Sequence, residues 1–246
     1  MLFLINLDSA TERRASMLAQ LDDLDLSATR IGVDLRGLGP ARIDAVVAQR
    51  FPGIAFDHDH VSSAEIGCWA SHLTAWTELA RRRRTAACTV LEDDLALDAD
   101  LPAAIAELTR QPVNDLVFLG TSCRNVSTRH HHPAGRFELH RPIGTIYNTW
   151  GYVITRAWVT RFFAARPWRI DRPIDHYTGG RRAGSLKPRV AVLRPPVVRE
   201  DPALGVASQI EPYTFRLDRT RIVEYARRRI LASRVSALYY RLYRFL

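Results

Sequence analysis

Thr85-Ala86-Ala87-Cys88-Thr89-Val90-Leu91-Glu92-Asp93-Asp94 is an apolar run that breaks on three consecutive carboxylates. A short apolar run of this kind reads as a buried strand. Short apolar runs and helical patterns alternate on either side of it, which predicts an α/β sheet domain. Because strand side chains alternate, Glu92 and Asp94 leave the chain on one side and Asp93 on the other. Three adjacent carboxylates repel one another, so this strand end calls for a cation or for solvent. Oxygen ligands there suit Mg²⁺ or Mn²⁺ with a bound diphosphate. In open α/β sheets the carboxyl edge is where ligands sit. The competing reading is an acidic loop in which Asp93 or Asp94 caps the next turn.

Toward the N-terminus, Ser62 or Ser63 opens a long helix with Ile66, Trp69, Leu73, Trp76 and Leu79 along one face. It ends in Arg81 to Arg84, a basic run that complements the helix dipole. Leu2 to Leu7 is expected as the first strand. Asp8 or Ser9 would cap the helix carrying Met17, Leu18, Leu21 and Leu24. Ala28 to Val33 reads as a strand and Ile43 to Gln49 as a short helix. Toward the C-terminus the pattern gives a helix near 100–110 and a strand over Asp115 to Leu119. Residues 121–145 read as an irregular polar stretch, with His130-His131-His132 in a solvated loop. Ile146 to Ile154 is expected as a strand, Arg156 to Ala165 as a helix, Pro173 to Gly179 as a helix start, and Lys187 to Leu193 as the last strand.

The chain has 246 residues, of which 47% are hydrophobic and 25% charged, a globular composition that excludes an intrinsically disordered chain. Its net charge is +9, and Lys187 is its one lysine. Residues 212–246 hold nine Arg against Asp218 and Glu224, so a net +7 of that excess sits in the last 35 residues. Thr220 to Tyr243 reads as a basic helix with Tyr239, Tyr240, Tyr243 and Phe245 near its end, which suits an anionic membrane surface. No nucleic-acid module accompanies the charge. Cys68, Cys88 and Cys123 have no framework spacing and fit reduced thiols. The apolar run Met1 to Ile5 is too short for a secretion signal. A cytoplasmic protein, peripheral at the inner membrane face, is therefore expected.

Three segments together resemble glycosyltransferase family 25, the bacterial lipooligosaccharide and collagen-modifying galactosyltransferases. They are Phe3-Leu4-Ile5-Asn6-Leu7-Asp8 with Glu12-Arg13-Arg14, then Ser63 to Trp76 with the Leu91-Glu92-Asp93-Asp94 strand end, then Thr149 to Ala157 with Pro173-Ile174-Asp175-His176. Their order and spacing match over roughly residues 1 to 210. The resemblance implies a GT-A type, Rossmann-like mixed sheet flanked by helices over 1–211, with the basic helical tail over 212–246. It implies inverting transfer of a hexose, often galactose, from a UDP-sugar to a saccharide acceptor, here a lipid-linked saccharide of lipooligosaccharide or a related surface glycan. A non-catalytic relative that keeps the fold is the alternative.

In that frame Asp94 and Glu92 would hold Mn²⁺ or Mg²⁺ against the donor diphosphate. Asn6, Arg13, Arg14, Ser71, His72, Glu92, Asp93 and Tyr152 are the expected donor-binding residues. Asp175 is the expected base, with Glu65 as runner-up; helix capping is the competing role of each. Many GT-A enzymes place a histidine ligand after the last strand. This chain has Val197-Val198-Arg199-Glu200-Asp201 there, which leaves either an acidic substitute or phosphate binding by Arg199.

Overall fold

The computed structural model describes residues 1–110, 112–121, 126–143, 146, 148–179, 186–201 and 203. In chain order the elements are β1 (Leu2–Ile5), α1 (Thr11–Asp23), β2 (Thr29–Ile31), α2 (Pro40–Arg50), β3 (Ile54–Phe56), α3 (Ser63–Arg81), β4 (Ala87–Glu92), β5 (Leu95–Leu97) and α4 (Leu101–Arg110). There follow β6 (Leu116–Gly120), β7 (Val126–Ala134), β8 (Phe137–Pro142), β9 (Gly151–Thr155), α5 (Arg156–Ala164), β10 (Trp168–Ile170), α6 (Ile174–Thr178), β11 (Val190–Arg194) and β12 (Val198–Glu200). Eight strands form one sheet in the order β2-β1-β4-β9-β6-β11-β8-β7. β2, β1 and β4 are parallel, as are β6 and β11, and β9 runs antiparallel between β4 and β6. This is the mixed, helix-flanked α/β sheet that the sequence predicts.

Both faces of the sheet are covered. On one, Ile66, Trp69, Leu73, Trp76 and Leu79 of α3 are wholly buried with Trp158 and Phe162 of α5. The Trp76 ring meets those two rings edge-on, at 5.4 and 5.3 Å. On the other, Met17 and Leu21 of α1 and Leu101, Ala104 and Leu108 of α4 pack with Leu4, Leu91, Leu119 and Leu193. Burial of each large apolar side chain contributes about 1.5–3 kcal/mol, so the apolar stripe of α3 is a principal anchor of the fold. Its start is fixed by a capping box between Ser62 and Glu65. Gly67 lets α3 approach the end of the neighbouring strand, because a Cβ there would lie 2.7 Å from the Val33 carbonyl oxygen.

Three expectations need correction. α1 starts at Thr11 with Ala10 at its N-cap and no side-chain cap. Asn6 Nδ2 donates to the Ala10 carbonyl and Ala10 N to the Leu7 carbonyl, and this turn leaves Asp8 and Ser9 outside the helix. Asp8 instead pairs with Arg30 at 2.6 Å, and Ser9 Oγ accepts from Arg36. The described part of 121–145 is mostly ordered sheet: β7 and β8 form an antiparallel hairpin, turning at Gly135 with φ +61°. The three histidines therefore lie on a strand. The expected strand over Ile146 to Ile154 begins at Gly151.

Two short pairings were not predicted, β3 with β10 and β5 with β12. The second carries residues 198–201 to the acidic strand end, where Asp201 N donates to the Asp94 carbonyl at 2.9 Å. The expected helix over 220–243 lies outside the described residues. No helix among the described residues is long and apolar enough to cross a membrane.

Candidate active site

The carboxyl ends of the adjacent parallel strands β1 and β4 bring Asn6 against Asp93. Asn6 is buried, and its Nδ2 donates to Asp93 Oδ2 at 2.7 Å as well as to Ala10, while its Oδ1 is buried without a hydrogen bond. Arg13, on the first turn of α1, sets one Nη between Asp93 Oδ1 at 3.3 Å and Asp94 Oδ2 at 3.4 Å, so these two carboxylates share a partner instead of facing opposite ways, because β4 and its alternation end at Glu92. Arg13 rather than Arg14 is thus the guanidinium brought to the carboxylates. Arg14, the next residue, is half-buried on α1.

Charge is crowded here. Burial pushes the Asp94 carboxyl up to about 6, with the Glu92 and Asp93 charges adding to the shift and Arg13 opposing it. Asp93 is raised by burial too, against Asn6 and Arg13, which favour its charged form. Asp94 Oδ1 is buried and has no hydrogen-bond partner.

Glu92 is held from the other side. Thr149 Oγ1 donates to Glu92 Oε1, and His72 Nε2 stands 3.4 Å from the same oxygen. His72 is wholly buried, and its Nδ1 lies 2.7 Å from the Tyr152 hydroxyl oxygen, which also accepts from Trp76 Nε1 at 3.0 Å. Hydrogen counting sets the tautomer of the neutral ring. Trp76 donates to the phenol oxygen, and the phenol's own hydrogen has no acceptor other than His72 Nδ1 among the described residues, so it goes there. The imidazole hydrogen then sits on Nε2, facing Glu92. The 3.4 Å contact is not aligned as a hydrogen bond, so its attraction is chiefly electrostatic.

Cys68, one turn before His72 on α3, completes a trio with His72 and Glu92 whose ligand atoms lie within 4.8 Å of one another. Metal capture by this trio requires both the Nε2 hydrogen and the Cys68 proton to leave. Burial, followed by the Glu92 and Asp175 charges, pushes the Cys68 thiol well above its ordinary value. By ligand type, the carboxylate oxygens of Glu92 and Asp94, whose charges act on one another, are the better match to a hard divalent cation.

Asp175 lies in the first turn of α6, with Pro173 as N-cap. Its Oδ1 is buried without a hydrogen bond, and burial pushes its carboxyl up to about 6. The main-chain N–H of His176 opposes that shift, while Glu92 and Glu65 reinforce it across the site. Glu65 is the buried half of the capping box, its Oε2 accepting from Ser62 N at 2.7 Å and Ser62 Oγ at 2.9 Å. Ser71 is also engaged inside the body, donating to the Gly67 carbonyl at 2.9 Å and accepting from Val33 N at 3.0 Å. Tyr152 has no exposed surface to offer a sugar.

The structure therefore brings together Asn6, Arg13, Glu92, Asp93 and Asp94, backs Glu92 with His72 and Tyr152, and places Ser71 and Glu65 in supporting bonds. Thr149 and Trp76 were missed as contributors. Thr149 stands just before Trp150-Gly151, and its position in that segment was its one signal; Trp76 read only as core.

Comparison with known proteins bears on what this arrangement does. The model of the family described as glycosyltransferase family 25 (LPS biosynthesis protein) matches residues 1–178. The match includes Asp175 and stops short of the roughly 210 residues over which the sequence resemblance runs. The chain is 26% identical to procollagen galactosyltransferase 1 of Danio rerio over 71% of its own length and 30% of that protein. It is 27% identical to a glycosyltransferase 25 family member of Anopheles gambiae, over 72% and 30% of the two lengths. A third relative, the probable inactive glycosyltransferase 25 family member 3 of Bos taurus, is 25% identical over 71% and 30%. The chain thus spans about three tenths of the length of these curated relatives.

Proposed function

This chain belongs to glycosyltransferase family 25, and from that premise we propose that it moves a hexose, galactose first among candidates, from a UDP-sugar to a saccharide acceptor with inversion. The observation that carries the reading is the convergence of Asn6, Arg13, Asp93, Asp94 and Glu92 at the carboxyl edge of β1 and β4. That edge is where an α/β sheet receives a nucleotide. Arg13, which meets both carboxylates through one Nη, supplies the positive charge that a diphosphate needs.

The residues fit a hard divalent cation. Asp94 offers a buried oxygen without a partner, and its carboxyl is raised chiefly by burial, with the like charge of Glu92 second. Mn²⁺ or Mg²⁺ held by Asp94 and Glu92 would supply Lewis-acid stabilisation of the departing diphosphate. Thr149 and His72 orient Glu92, and Asp201 ties its main chain to Asp94.

Asp175 is the proposed base. In a single displacement it takes the acceptor hydroxyl's proton at a carboxylate oxygen, and a carboxyl at about 6 is ionised yet basic at neutral pH. The acceptor in this reading is a lipid-linked saccharide at the inner face of the cytoplasmic membrane. The basic composition of residues 212–246 supports that placement by attraction to anionic lipid.

The test is release of UDP from UDP-galactose with Mn²⁺, with and without a lipooligosaccharide acceptor, beside UDP binding by calorimetry. Acceptor-stimulated release that is lost in Asp94→Ala supports the reading. UDP binding that is the same in Asp94→Ala as in the parent chain sinks it. Nucleotide binding without turnover on any glycan would instead make this a non-catalytic member, as one relative's name describes that relative.

A further inference from the structure

The β7–β8 hairpin, the approach to β11 and the end of α6 enclose a cleft of about 680 Å³. This lies within the size range of small-molecule sites. Strand alternation gives the hairpin two different sides. His131 and His140 are cross-strand partners stacked at 5.2 Å, whereas His130, His132 and Arg141 line the cleft, over Leu139. Lys187 and Arg189 enter from the segment leading into β11, and among the described residues no carboxylate lines the cleft.

The nearby acids do not cancel this charge. Asp115 is buried and faces two guanidiniums, Arg161 at 3.1 Å and Arg189 at 3.4 Å, so one positive charge is left over there. Glu138 is paired with His140 at 2.7 Å, the histidine stacked away from the cleft lining. Asn114 adds a polar group of another kind. It lines the cleft with a buried Oδ1 that has no hydrogen-bond partner.

We propose that this cleft binds an anionic saccharide, its phosphate or carboxylate held by Arg141, Lys187 and Arg189. A concave site of this size takes a compact charged sugar rather than the flat face of a bilayer. The saccharide class of the ligand rests on the transfer reading above.

The experiment uses the full chain in EDTA, titrated calorimetrically with glucose 6-phosphate, glucuronate and neutral glucose. At least one anionic sugar is expected to bind about tenfold more tightly than glucose, and the tighter of the two identifies the anion. Arg141→Ala/Lys187→Ala, at two exposed positions, is expected to weaken that binding about five- to tenfold, as loss of two charge-assisted contacts implies. UDP binding with Mn²⁺ is expected to stay unchanged in the double variant. Equal binding by parent and variant, equal binding of glucose, or no binding of either anionic sugar overturns the proposal. Because binding in EDTA requires no transfer, a protein that binds the anionic sugar without transferring hexose defeats the transfer reading alone.

Discussion

Tyr152 and His72 meet at 2.7 Å between the phenol oxygen and Nδ1, joining the middle of the sheet to α3 directly behind Glu92. The same oxygen accepts Trp76 Nε1 at 3.0 Å, and all three side chains are fully buried. Tyr152→Phe keeps the ring and removes the shared oxygen. It leaves the Trp76 N–H and one imidazole nitrogen buried and unpaired, at about 1–3 kcal/mol for such a group. Urea denaturation is expected to show a loss in that range. UDP-sugar turnover is expected to fall further than the folded fraction explains, because His72 no longer has a fixed tautomer to present to Glu92. Turnover that tracks the folded fraction alone would reduce Tyr152 to a packing role.

This buried chain also shows how far the sequence could be read. The strand ending in Glu92-Asp93-Asp94 and the stripe from Ile66 to Leu79 were legible because burial imposes periods of 2 and 3.6. The position of Tyr152 was not. Alternation along β9 says that Gly151 and Val153 share one side and Tyr152 the other, but not which side meets α3. The β7–β8 hairpin was hidden for a different reason. Its sequence puts His on both sides and adds Arg and a single Glu, as an edge strand facing solvent permits, so no sustained apolar alternation announces it. Residues 198–200 pair through three-residue strands, too short for any period to register.

Gly120 sits at the end of β6 beneath the crossing of β12. A Cβ there would lie 1.9 Å from the Val198 carbonyl oxygen, a main-chain atom with no rotamer to yield. Gly120→Ala is expected to push β12 off β5 and loosen the 197–201 segment beside Asp94. Overpacking of this kind costs about 1–3 kcal/mol or more. Hydrogen exchange should report it as lost protection at Asp201 N–H, which bonds to the Asp94 carbonyl. Unchanged protection there would show that the crossing absorbs a methyl group.

Arg13 is the cation between Asp93 and Asp94, at 3.3 and 3.4 Å with its side chain 15% exposed. Arg13→Ala is expected to destabilise the fold by about 1–2 kcal/mol at neutral pH, below the 3–5 kcal/mol typical of a fully buried pair. The deficit should shrink as pH falls through about 6, where Asp94 takes up a proton and no longer needs the guanidinium. Thermal melts of both proteins across that window provide the check. UDP affinity is expected to drop about tenfold as well, while Arg13→Lys should restore part of the stability and less of the binding, since an ammonium lacks the fork.

Asp175 gives the sharpest pH test. Its folded-state value of about 6 lies above the ordinary 3.8, so the folded protein holds the proton more tightly than the unfolded chain does. Stability tied to this group is therefore fullest below pH 4 and is lost as pH rises through 6. Asp175→Asn removes the ionisation and is expected to be more stable than the parent at pH 8 by about 2 kcal/mol, with no gain at pH 3.5. Transfer should move the opposite way. The parent's rate is expected to climb through an apparent value near 6 as the base ionises, and Asp175→Asn to lower turnover by about 10²–10⁴ without that limb. An N-capping role alone would give neither the stability gain at pH 8 nor the missing acid limb, so the pair of measurements separates a base from a cap.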